Sequence, residues 1–102
     1  MKEFKEGKMV LARHLSEGDF KKGLNFFSSD SEFIQVGVWG YDKGKKLLAH
    51  RHNEVKREVF LTQEVLFIKQ GSIRARIYDS KQNLVGELEV KSGEVLVALT
   101  GL

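Results

Sequence analysis

The feature that most limits what this chain can become is a succession of short apolar segments, several alternating with a period of two and each closed by a turn signal. Ile73-Arg74-Ala75-Arg76-Ile77-Tyr78 alternates strictly, so in a strand Ile73, Ala75 and Ile77 share the buried face and Arg74 and Arg76 the wet one. Leu84 to Val90 alternates again after the hairpin signal Asp79-Ser80-Lys81-Gln82-Asn83, and Lys91-Ser92-Gly93 turns the chain into a last strand, Val95 to Leu99. Val65-Leu66-Phe67-Ile68 is a nearly continuous apolar run, the pattern of a strand covered on both faces, and Gln70-Gly71-Ser72 ends it. Upstream, Phe33 to Trp39 is rich in β-branched and aromatic residues, Tyr41-Asp42-Lys43-Gly44 is a turn, and Lys46 to His52 is a further strand candidate. Strands at such short intervals predict an all-β barrel or sandwich.

The first thirty residues are patterned less clearly. Met9-Val10-Leu11-Ala12 suits an edge strand, and Ser16-x-x-Asp19 resembles a helix N-cap before one short turn, while Gly18 and Gly23 argue against a long helix. Phe20, Leu24, Phe26 and Phe27 are expected to plug one end of the sheet. No repeat, low-complexity tract or linker interrupts the 102 residues, which read as a single domain with its barrel strands over 33–102.

Composition narrows the function classes. Hydrophobic residues at 41% and charged residues at 30% describe a chain that folds. Without cysteine there are no disulfides, thiolate ligands or cysteine nucleophile. The charged N-terminal stretch has no long apolar run, so neither a signal peptide nor a membrane span is expected, and a cytoplasmic location is the default. The net charge of +3 comes from 17 basic and 14 acidic residues, mostly interspersed. The densest basic cluster, Lys43-Gly44-Lys45-Lys46, lacks the interleaved aromatics of a nucleic-acid platform, so no nucleic-acid partner is expected. Phosphate-loop, Gly-x-Ser-x-Gly and His-Glu-x-x-His patterns are all missing.

One constellation carries chemistry. His50 and His52 stand two residues apart, which in a strand places both rings on one face, roughly 7 Å apart along the backbone, able to converge on one ion. They share parity with Leu48, as Glu64 does with Leu66 and Ile68; if those aliphatics face inward, so do the three polar groups. Buried without partners they cost several kcal/mol, about what coordination of a cation would offset. The alternative is that His-x-His faces solvent and Glu64 merely opens a strand. His14 is read as a surface or loop residue rather than a ligand.

These residues resemble the first motif of the cupin superfamily: glycine, five residues, His-x-His, a gap, glutamate, six residues, glycine. Gly44, His50-Arg51-His52, Glu64 and Gly71 match it at both ends. The gap departs from the family, with eleven residues, Asn53 to Gln63, where three or four are usual, and Glu54 or Glu58 are the other acids available. The second motif begins at Gly93 and runs to Gly101 with Leu99 in place of the common proline, and Leu102 falls just short of the family's last ligand histidine.

The resemblance implies a cupin-type, jelly-roll-like barrel, incomplete at its C-terminal end, in either a truncated chain or one that works without that ligand. It implies His50, His52 and Glu64 as ligands of a divalent transition metal, Zn, Fe, Mn or Ni. An unclosed barrel leaves a sheet edge unpaired, so a homodimer is expected. Three function classes follow: a small metal-dependent isomerase or oxygenase of a small molecule, a non-catalytic module for a sugar-like ligand, or a scaffold with an incomplete site.

Overall fold

The computed structural model describes residues 1–100. Among them are eight strands: β1 (Lys2–Glu6), β2 (Met9–Leu15), β3 (Gly23–Phe26), β4 (Gly37–Gly40), β5 (Glu64–Phe67), β6 (Ser72–Tyr78), β7 (Leu84–Lys91) and β8 (Val95–Ala98). All pair antiparallel, and the one helical element is a 3-10 turn at Glu17–Asp19. The fold class is therefore all-β. No helix among the described residues is long and apolar enough to cross a membrane. The chain divides into two units, one built from Met1–Asp19 and the chain from Leu61 onward, the other from Phe20–Phe60.

In the first unit a four-stranded sheet runs in the order β1-β2-β8-β5, and β6 and β7 form a separate hairpin. One face of the sheet supplies Phe4, Leu11, Ala12 and Leu96 to a core that the hairpin completes with Ala75, Ile77 and Val90, while Leu66, Ile68 and Leu88 pack at its margin. The alternation of β6 holds: Ala75 and Ile77 are buried and Arg74 and Arg76 are exposed, the two guanidinium groups reaching Glu87 across the hairpin at 3.3 and 3.5 Å. Ile73 shares the inward parity but lies at the rim, 37% exposed.

Gly86 stands opposite Ile77 on β7, and the ring of Phe4 occupies the space a side chain there would need; a Cβ would fall 2.5 Å from the ring. Register shifts between Phe4 and Lys5 and between Ile77 and Tyr78 mark bulges, which sharpen the local twist. At the β7–β8 turn Gly93 adopts a φ of 83° that side-chain-bearing residues rarely take, and its N–H donates to the Ile68 carbonyl at 2.6 Å.

Two expectations change in this unit and one holds. β2 is an interior strand, flanked by β1 and β8, because the charged segment Lys2–Glu6 provides the edge instead. Ser16 and Asp19 do cap a short turn, the Asp19 carboxylate accepting from the Ser16 N–H at 3.0 Å while the Asp19 N–H donates to the Ser16 carbonyl at 2.9 Å. β5 is covered on one face only: Leu66 and Ile68 pack on the core, whereas Val65 and Phe67 are 46% and 62% exposed. As the terminal strand it has a single neighbour, β8.

The second unit is organised by β3 and β4, paired Leu24 to Trp39 and Phe26 to Gly37. The strand expected from Phe33 to Trp39 contracts to Gly37–Gly40, with Phe27 N–H donating to the Val36 carbonyl at 2.7 Å beyond its end. Leu24, Phe26 and Trp39 share one exposed face of this hairpin, so Leu24 and Phe26 are not the buried plugs their composition suggested. The turn after β4 forms as expected, closed by Lys45 N–H donating to the Asp42 carbonyl. Residues 45–60 carry no regular secondary structure, and the strand expected over Lys46 to His52 is absent. A segment becomes a strand only where another strand supplies hydrogen bonds, and none does so there.

Candidate metal centre

His50 and His52 lie in that irregular segment, and both are exposed, as is Leu48 at 91%. The inward-facing premise drawn from Leu48 therefore fails, and burial supplies no reason for these rings to hold an ion. The ring centroids are 5.3 Å apart, with planes inclined at 34°. Imidazoles that share one tetrahedral ion at about 2 Å from each nitrogen hold their centroids roughly 5 Å apart. The observed separation is of that size. His50 Nδ1 lies 3.3 Å from the Leu48 carbonyl.

Glu64 opens β5 in register with Ala98 and is exposed; its neighbour in parity, Leu66, turns toward the core. It belongs to the first unit and the histidines to the second. Among the described residues no group of three or more His, Cys, Asp or Glu side chains is gathered as a ready cation cage. Glu54 and Glu58 are exposed within the same irregular stretch as the histidines. Gly101, the end of the second motif, lies outside the described residues.

His14 is not a loop residue. It sits in β2, and its Nε2 lies 2.9 Å from Glu94 Oε1. That same Oε1 accepts the Lys91 N–H at 2.9 Å, and these two contacts, the backbone N–H first, hold the Glu94 carboxyl below its ordinary value of 4.5. Glu94 thereby ties the β7–β8 turn to β2. On the opposite face of the sheet from the core, Arg13 is 6% exposed and its Nε donates to Glu3 Oε2 at 2.9 Å, which lowers the Glu3 carboxyl. Sequence reasoning missed both pairs because it ended β2 at Ala12; carrying its parity two residues further would have placed His14 inside the sheet.

A cleft of about 220 Å³ opens beside Leu11, Tyr78 and Thr100, rimmed by Glu6 and Asp79. Its acids are committed to structure. Glu6 accepts from the Ser80 N–H and hydroxyl at 3.1 and 2.7 Å, and Asp79 accepts from the N–H groups of Lys81 and Asn83. Comparison of the chain with protein-family models, with curated proteins and with solved structures returned no match.

Proposed function

We propose that the chain is a small cupin-like protein that binds a divalent transition metal, Zn, Fe, Mn or Ni, through His50 and His52 and takes a small molecule at that ion. The observation that carries this reading is the 5.3 Å separation of the two rings, with Nδ1 of His50 engaged by a carbonyl. Glu64 enters as a third donor on the spacing of the sequence motif. Pairing of β5 with β8 gives further support, since β5 opens on the first motif's glutamate and β8 follows the second motif's opening glycine. When bound, such an ion supplies a Lewis acid that polarises an oxygen of the ligand; the chain's part is to present two imidazoles and leave coordination positions open.

The reading includes a cytoplasmic homodimer that takes a small-molecule ligand, with neither nucleic acid nor membrane as a partner. The terminal position of β5, with Val65 and Phe67 exposed, supports the dimer. The exposed Trp39 beside Leu24 favours a second reading, a non-catalytic module on which a sugar-like ring stacks without metal.

Elemental analysis of purified protein, repeated for His50→Ala, His52→Ala and Glu64→Gln, tests the proposal. One ion per chain, lost in both histidine variants while the far-ultraviolet spectrum is retained, supports it. Stoichiometric metal unaffected by the two histidine changes, or no metal taken up from any of the four ions, overturns it.

A further inference from the structure

The two units differ in charge. Phe20–Phe60 holds eight Lys and Arg against five Asp and Glu, whereas the remainder of the chain holds nine against nine. The β3–β4 hairpin localises part of that excess. Lys21 and Lys22 precede β3, and Lys43, Lys45 and Lys46 follow β4; because the two strands are antiparallel, both groups fall at one end of the hairpin. Two contacts bring these segments together: Lys22 Nζ lies 4.0 Å from Asp42 Oδ1, and the Lys21 carbonyl lies against Gly40, 2.8 Å from where a Cβ would stand. Five lysines thus share this end with one aspartate, and all six side chains are exposed. The connection at the other end, residues 27–36, carries Asp30 and Glu32 and no lysine or arginine of its own, with the Arg57 guanidinium donating to the Asp30 carbonyl at 3.0 Å.

Between the two ends runs an exposed apolar strip. Trp39, opposite Leu24, is 67% exposed, and the Phe26 ring lies over Gly37, where a Cβ would come within 2.9 Å of it. Tyr41, two residues beyond Trp39, is exposed at the lysine end, with Lys45 Nζ 5.4 Å from its ring centroid. An indole this open offers a flat apolar face to the C–H side of a sugar ring. Positive charge gathered at one end of the strip selects a ligand that is anionic at one end. A phosphodiester strand laid along the strip would instead carry its charges past Asp30 and Glu32. Resting on the metal-free reading above, in which a sugar-like ring stacks on Trp39, we infer that the sugar is acidic: a uronic-acid residue lies on the indole with its carboxylate toward the lysine end of the hairpin.

The test uses the full chain, freed of metal with EDTA, at low salt. Trp39 is the one tryptophan in the sequence, so its fluorescence reports the strip. Trigalacturonate and its fully methyl-esterified form share a shape and differ in charge. The expected result is a saturable change in emission with both, trigalacturonate binding about threefold or more tighter, and a preference that disappears in about 1 M salt, where the screening length falls to about 3 Å. Lys22→Gln combined with Lys45→Gln should remove the preference and leave affinity for the ester unchanged. Trp39→Ala removes an exposed side chain, so the far-ultraviolet spectrum should be retained while the calorimetric heat of both ligands is lost. An ester that binds as well as the acid overturns the inference and leaves the sugar reading standing. Binding of neither, or binding that survives Trp39→Ala, overturns both. Oligothymidylate that quenches Trp39 at lower concentration than trigalacturonate makes the strip a nucleic-acid platform and overturns the inference.

Discussion

At the scale of the residue, the first unit depends on a missing side chain. Phe4 is 5% exposed because Gly86 lets its ring lie against the β7 backbone. Gly86→Ala should cost about 1–3 kcal/mol, the usual penalty of overpacking, read as a lower urea midpoint with an unchanged slope. Phe4→Leu in the same chain should recover part of the loss, since a shorter side chain vacates the space. Glu94 makes a prediction of another kind. Its folded pKa lies below 4.5, so the carboxylate adds stability above that value and the contribution disappears as pH falls through the folded pKa. Glu3, lowered by the Arg13 guanidinium, behaves the same way. Glu94→Gln should therefore be less stable than the parent at neutral pH, and the two melting temperatures should converge on acidification below pH 4.5; a constant gap between them would sink the account.

At the scale of the element, what distinguishes the strands is how each edge is protected. β1 closes one side of the four-stranded sheet with Lys2, Glu3, Lys5 and Glu6 and a bulge, features that discourage further pairing. β5 closes the other with Val65 and Phe67 exposed and no bulge in its register. If two copies meet there, antiparallel pairing about Leu66 sets Val65 opposite Phe67 of the second copy, a favourable cross-strand match. Phe67→Lys should shift the chain toward monomer in sedimentation at micromolar concentration. An unchanged distribution would place any dimer elsewhere. The same strands show why some elements were legible and one was not. Ile73 to Tyr78 carries its own partner in Leu84 to Val90 after a five-residue turn signal, so local alternation sufficed. Lys46 to His52, with three apolar residues followed by three polar ones, has no such alternation, and no strand lies alongside it.

At the scale of the whole molecule, the net positive charge and the His50–His52 pair share one unit while the buried core cluster belongs to the other. Residues 45–60 have few hydrogen bonds to break, so their amides should exchange fast in the metal-free chain. Zinc in excess should slow exchange around His50 and His52 and raise the free energy of unfolding, by about 2.7 kcal/mol at a free zinc concentration one hundred times the dissociation constant. His50→Ala combined with His52→Ala should remove both effects. Protection that appears instead along β6 and β7 would locate zinc binding away from the histidines.

The sequence by itself determined the all-β class, the amphipathic β6–β7 hairpin, most turns and the His-x-His spacing, because each depends on residues close in the chain. Only the tertiary structure decided that β8 lies between β2 and β5, that Phe4 needs Gly86, that His14 meets Glu94, and that Leu48, His50 and His52 face outward. Those outcomes depend on which distant segments supply hydrogen bonds and cover, and the alternation of a single segment carries no information about its partner.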